Sequence, residues 1–151
     1  MIDRFEKFSF SINEIFRYWH RLAADELKIY GLKGPHATYL TTLYRYEEGI
    51  TAPELCELCA KDKSDVSRMI SIMEQKGLVK RDGGLKSAYR AKIKLTDEGK
   101  NVAKAITERA ALAVELAGKG LTDENRDVFY SSLEIIMNNL RDISKKGLPE
   151  E

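Results

Sequence analysis

Ser64, Ser67, Arg68, Ser71 and Gln75 recur at spacings that gather them, at about 100° per residue, into one narrow stripe of a helix. Val66, Met69, Ile70 and Met73 fall on the opposite side. A merely solvated face more often carries Glu and Lys, whereas this stripe offers hydroxyls, an amide and a guanidinium. Short hydroxyls let a backbone approach another surface closely. Arginine can donate two parallel bonds to a guanine edge or to a phosphate. The chemistry implied is recognition by hydrogen bonding, and the expectation is a helix that reads DNA.

Other reactive residues carry less. His20 and His36 are the two side chains that titrate near neutrality, and no Ser/His/Asp, paired-carboxylate or phosphate-loop pattern surrounds them. No enzyme is expected. Cys56 and Cys59 form a C-x-x-C, a spacing used for metal binding and for redox switching. No second cysteine pair accompanies it, and free cysteines are usually buried. The pair therefore reads as core packing, with a thiol switch as the alternative and neither metal nor cofactor expected.

Charge is distributed to match the stripe. Between Lys61 and Lys94 stand ten basic and four acidic residues, a net +6, which leaves −5 on the remainder of a chain of net charge +1. Positive charge concentrated on one segment points to a polyanionic partner. The 151 residues, 43% hydrophobic and 32% charged, suit one globular chain with a core. No window approaches the roughly 20 apolar residues of a membrane span, and Met1-Ile2-Asp3-Arg4 opens no signal peptide. A cytoplasmic location and no membrane partner are the expectation.

The elements that must hold the stripe are legible around it. Asp62 can cap a helix from 63, with Asp65 three residues on as a variant of the reciprocal capping pattern, and Gly77 can close it. Upstream, Thr51-Ala52-Pro53-Glu54 is a capping box that opens a short helix over 52–60. Only Lys61 and Asp62 separate the two helices, which predicts a helix-turn-helix. Downstream, Leu78-Val79-Lys80-Arg81 is strand-like and Asp82-Gly83-Gly84 a turn signal. The return strand alternates Tyr89, Ala91, Ile93 and Leu95 with Arg90, Lys92 and Lys94, one face to pack and one cationic. Such a ribbon beside a reading helix is a wing that can touch phosphates or the minor groove.

The flanks are helical. Phe8, Ile12, Ile15, Phe16, Trp19, Leu22 and Leu27 mark a long amphipathic helix over 5–29, whose bulky stripe asks for a partner beyond its own chain. Gly31 and Gly34 break it, Pro35 opens a short helix through Tyr44, and Gly49 ends that one. Thr96 caps a helix to about Ala117, and Thr122 starts the last, with a polar, frayed tail expected from Lys145.

Taken in order, four motifs resemble the MarR family of winged-helix transcriptional regulators. They are Thr51-x-x-Glu54-Leu55, Lys63-Ser64-x-Val66-Ser67-Arg68, Glu74-x-Lys76-Gly77-Leu78-Val79-x-Arg81 and Leu95-Thr96-x-x-Gly99. The fold implied is mainly α with a small β-wing, with dimerisation helices at 1–30 and 118–151, a winged helix-turn-helix at 35–99 and a connecting helix at 97–117. The function implied is a homodimeric repressor on a pseudopalindromic double-stranded DNA operator, released by a small-molecule effector. The alternatives are a thiol-switched regulator acting through Cys56 and Cys59 and a winged helix that binds protein instead of DNA. The resemblance and the charge pattern together give an expected DNA-contacting set of Lys63, Ser64, Ser67, Arg68, Ser71, Arg81, Lys86, Arg90 and Lys92. The family's effector cavity suggests Arg17, Trp19, His20, Tyr39 or Tyr44, but aromatics at those spacings are ordinarily core, and no ligand-binding residue is assigned. One departure stands at the wing tip: Lys86-Ser87-Ala88-Tyr89-Arg90 lacks the Asp-Arg pair common in the family.

Overall fold

A computed structural model describes residues 3–82 and 91–149. The expected Gly83-Gly84 turn, Tyr89 and the two candidate contacts Lys86 and Arg90 lie outside the described residues. The elements run α1 Arg4–Leu27, a 3-10 turn Lys28–Tyr30, α2 Gly34–Tyr44, α3 Ala52–Cys59, α4 Lys63–Gln75, β1 Val79–Asp82, β2 Lys92–Leu95, α5 Asp97–Ala117 and α6 Asp123–Lys146. The fold is mainly helical with a small antiparallel ribbon, as the periodicities predicted. The chain divides into two compact units, Met1–Ala111 and Leu112–Glu151, with the boundary inside α5.

In the first unit, apolar faces of α2, α3, α4 and the ribbon close on one core. Tyr39, Leu40, Leu43, Leu55, Ile70 and Met73 are within 1% of complete burial. The last turn of α4 closes with Gly77 left-handed at φ +70°, the Gly77 amide donating to the Glu74 carbonyl and the Leu78 amide to that of Met73. That paired pattern satisfies carbonyls a helix end would otherwise leave bare. Thr51 and Glu54 form the reciprocal cap the sequence announced, the Thr51 amide donating to the Glu54 carboxylate at 2.7 Å.

The threonine before α5 ties three elements together. Thr96 Oγ1 donates to the Gly77 carbonyl at 2.6 Å and accepts from the Gly99 amide at 3.0 Å, while its own amide donates to the Leu78 carbonyl. At Gly99 a Cβ would overlap the Leu78 carbonyl, so the helix can approach this closely only through glycine. The Thr96-x-x-Gly99 spacing thereby locks the start of α5 to the end of the α4–β1 corner.

Several boundaries differ from expectation for physical reasons. Helix α2 begins at Gly34, one residue before Pro35, and ends at Tyr44, short of Gly49. Gly49 (φ +77°) instead lies against β2, where a Cβ would come within 2.5 Å of Lys94 Cγ and 2.8 Å of the Ile93 carbonyl. That approach brings Ile50 into a bridge with Ile93, so β2 is paired on both edges. No alternating run announces a single-residue bridge. Asp62 caps α4 through its carboxylate, but Asp65 does not return the bond, being held elsewhere. Helix α6 extends through Lys146, so Lys145 and Lys146 fall in its last turn.

The second unit holds the end of α5 and α6. Thr122 caps α6 by accepting from the Asn125 amide, and Arg126 joins the two helices through Glu115 and the Gly118 carbonyl, each at 3.1 Å. Phe129, Tyr130, Ile135, Met137 and Leu140 of α6 are exposed. So are Phe5, Phe10, Ile15, Phe16 and Leu22 of α1 in the first unit.

Candidate nucleic-acid interface

Helix α4 separates its two faces as the spacing required. Val66, Met69, Ile70 and Met73 are buried, whereas Lys63, Ser64, Ser67, Arg68, Ser71 and Gln75 are exposed. The preceding turn presents this face. Helix α3 ends with Ala60 left-handed at φ +51°, the Ala60 amide donating to the Glu57 carbonyl and the Lys61 amide to that of Cys56. The corner spans only Ala60 to Asp62, so α3 and α4 pack directly on one another. The helix-turn-helix is thus brought together as read.

The stripe is not uniformly free to bond. Arg68 Nη2 donates to Asp65 Oδ1 at 2.6 Å, and the guanidinium is still 68% exposed. The other carboxylate oxygen, Asp65 Oδ2, accepts from the buried Tyr39 hydroxyl at 2.9 Å. The Arg68 guanidinium and then the Tyr39 hydroxyl hold the Asp65 carboxyl below the usual carboxylate range. Burial, with the neighbouring Asp65 adding to it, pushes the Tyr39 phenol well above its ordinary value, so it stays a proton donor. Ser71 Oγ donates back to the Ser67 carbonyl at 2.9 Å and presents only its lone pairs outward.

The ribbon gives each cation a side. Val79 faces Leu95, Lys80 faces Lys94, Arg81 faces Ile93 and Asp82 faces Lys92. Side chains alternate along a strand, so Lys80, Asp82, Lys92 and Lys94 share the outer face and Arg81 shares the inner face with Ile93. Arg81 accordingly turns toward α4, its Nε donating to Glu74 at 3.0 Å, and is only about a third exposed. Lys94 is drawn to Asp82 at 3.1 Å and Glu48 at 3.9 Å. Lys92 remains outward and exposed, and Lys80 beside it is equally so. Lys80, two residues before Asp82, faces the way Lys92 faces by strand parity, although it stands outside the expected contact set.

The other candidates resolve toward structure. Cys59 is buried with Sγ 3.7 Å from Thr42 Oγ1, and burial pushes its thiol up, which depletes the thiolate that redox chemistry needs. Cys56 is half-buried. Among the described residues no three His, Cys, Asp or Glu side chains cluster as a metal site, and no helix is long and apolar enough to cross a membrane. Of the aromatics considered for an effector, Tyr39 is core, while Trp19 and Tyr44 are partly exposed. A shallow cavity of about 30 Å³ lies among Leu43, Tyr44, Tyr46, Glu47, Leu95 and Lys100, room for about one water.

Comparison with known proteins agrees with this geometry. The MarR family model matches residues 30–84, from the end of the 3-10 turn to just past β1. The fold is similar to a MarR transcriptional regulator of Methanosarcina mazei Go1, with TM-score 0.80 and 24% identity over 95% of this chain and 94% of that one. It is similar to a putative MarR family regulator of Listeria monocytogenes complexed with 26mer DNA, with TM-score 0.80 and 21% identity over 100% and 99% of the two chains. The Staphylococcus aureus MepR–DNA complex gives TM-score 0.78 and 19% identity over 87% and 96%. A search of proteins of curated function gave no match. The resemblance read from the four motifs is borne out, and the fold is the winged helix-turn-helix of MarR-family regulators.

Proposed function

We propose that this winged helix-turn-helix chain of MarR type is a sequence-specific double-stranded-DNA-binding transcriptional regulator, acting as a homodimeric repressor that a small ligand releases. The observation that carries the reading is the outer face of α4. Three serines, one arginine and a glutamine stand exposed on a helix whose opposite face is wholly buried. Such a face can enter a major groove and exchange hydrogen bonds with base edges. Lys80 and Lys92 on the outer face of the ribbon add charge where a flanking phosphate backbone would run. Two of the similar structures were solved with DNA bound, which supports the same partner here.

The dimer rests on exposed apolar surface. Phe16 and Ile15 on α1 are 63% and 61% exposed, and Ile135 on α6 is 62% exposed. Bulky apolar residues repeated along a helix face mark an interaction surface. Two copies of the reading helix then call for an inverted repeat.

The test is to incubate the purified protein with a randomised duplex pool, sequence what is retained, and repeat across a salt series. An enriched inverted repeat is the expected outcome. Salt-sensitive retention without a motif would make the protein a phosphate binder of no sequence preference. Absence of retention at low salt, in folded dimeric protein, would favour the protein-binding alternative.

A further inference from the structure

We infer that Tyr39 and Asp65 are positioning residues for Arg68, together setting which base the α4 stripe selects. The inference rests on the DNA-reading function proposed above and names what makes that reading specific.

The geometry is a three-membered chain from the core to the surface. Tyr39 on α2 is completely buried, and its hydroxyl meets Asp65 Oδ2 at 2.9 Å. Asp65 Oδ1 takes Arg68 Nη2 at 2.6 Å, and the Asp65 amide is anchored on the Asp62 cap. Both carboxylate oxygens are therefore occupied, so the carboxylate has one orientation. Arg68 inherits it: one nitrogen is fixed, and among the described residues Nε and Nη1 have no protein partner. Those donors remain for a base edge.

An acid on a surface meant for a polyanion repels every phosphate near it, which calls for a compensating use. Fixing a long arginine in advance is such a use. A free guanidinium samples many rotamers and bonds indiscriminately, whereas a held one loses less entropy on binding and accepts fewer geometries. The buried hydroxyl makes the arrangement stable, because an unpartnered phenol in the core is unfavourable. Tyr39 lies on a different helix and is fully covered, so its removal alters no groove-facing atom.

The experiment compares Tyr39→Phe, Asp65→Asn and wild type on the selected duplex, on duplexes changed at each base pair, and on an unrelated duplex. With Tyr39→Phe, discrimination at the base pair sensitive to Arg68→Ala is expected to fall by about fivefold to tenfold, the scale of one hydrogen bond. Discrimination elsewhere should hold. Asp65→Asn is expected to lose the same discrimination while binding the unrelated duplex more tightly, because a repelling charge is gone. In an Arg68→Ala background, Tyr39→Phe should cause no further loss. Equal weakening on all duplexes by Tyr39→Phe, or full additivity with Arg68→Ala, would show that the hydroxyl serves only the fold and would overturn the inference. A wild-type protein that selects no sequence would overturn both this inference and the function beneath it.

Discussion

Arg68 offers the most hydrogen-bond donors of the stripe, since serines offer one hydroxyl each and Ser71 already spends its proton on Ser67. Arg68→Ala should weaken the selected duplex by about 1–3 kcal/mol and relax base choice at one position, measurable by titration against single-base variants. Affinity equal to wild type would remove Arg68 from the reading role. His36 belongs to the same scale but acts on stability. Its Nδ1 accepts the Lys33 amide at 3.0 Å, which leaves the proton on a buried Nε2 that has no partner among the described residues. Burial first, with Lys76 and Lys33 nearby, pushes its pKa below the ordinary value. The unfolded chain then binds a proton that the folded chain refuses, so stability falls as pH drops below about 6.5 toward the lowered folded value. Denaturation midpoints at pH 7.5 and 5.5 should differ less in His36→Gln than in wild type.

At the scale of elements, the corner between α3 and α4 is made by an alanine in a conformation that glycine adopts more easily. Left-handed backbone is unfavourable for a residue with a Cβ by about 1 kcal/mol or more, partly offset because glycine gains freedom when unfolded. Ala60→Gly should therefore stabilise by about 0.5 kcal/mol and raise the thermal midpoint by about 1–2 °C. A lowered midpoint would mean that the alanine methyl contributes packing that the backbone geometry does not reveal. The ribbon makes a different prediction. Lys92→Ala should weaken matched and unrelated duplexes alike and reduce the salt slope by about one, as expected for one phosphate contact. Arg81→Ala should move the salt slope much less, because Arg81 sits on the inner face against Glu74. Both residues stand in basic runs, and strand parity assigns them to opposite faces, with the register setting Arg81 beside Ile93.

For the whole molecule, the question is what covers the apolar residues of α1 and α6. Ile15→Glu on α1 should shift the sedimentation mass from two chains to one and abolish the preference for inverted repeats. Persistence of the dimer in that variant would place the interface away from α1. The thiol-switched alternative is weakened by the burial of Cys59, whose raised pKa keeps it protonated.

What the sequence determined by itself was periodic or punctuated. The two faces of α4, the capping box at Thr51 and Glu54, the glycine stop at Gly77 and the alternation of β2 follow from repeats of about 3.6 and 2 residues and from local caps, which neighbours three or four positions apart decide. The tertiary structure alone decided the rest, because it joins residues with no local relation. Tyr39 meets Asp65 across 26 positions, Ile50 bridges Ile93, Thr96 holds Gly77, and Arg81 turns inward to Glu74. An acid three places after the Asp62 cap reads as a capping and helix-dipole residue until packing puts a buried hydroxyl beside it. Long-range contacts of this kind are set by how the core closes, and core closure has no short-range signature.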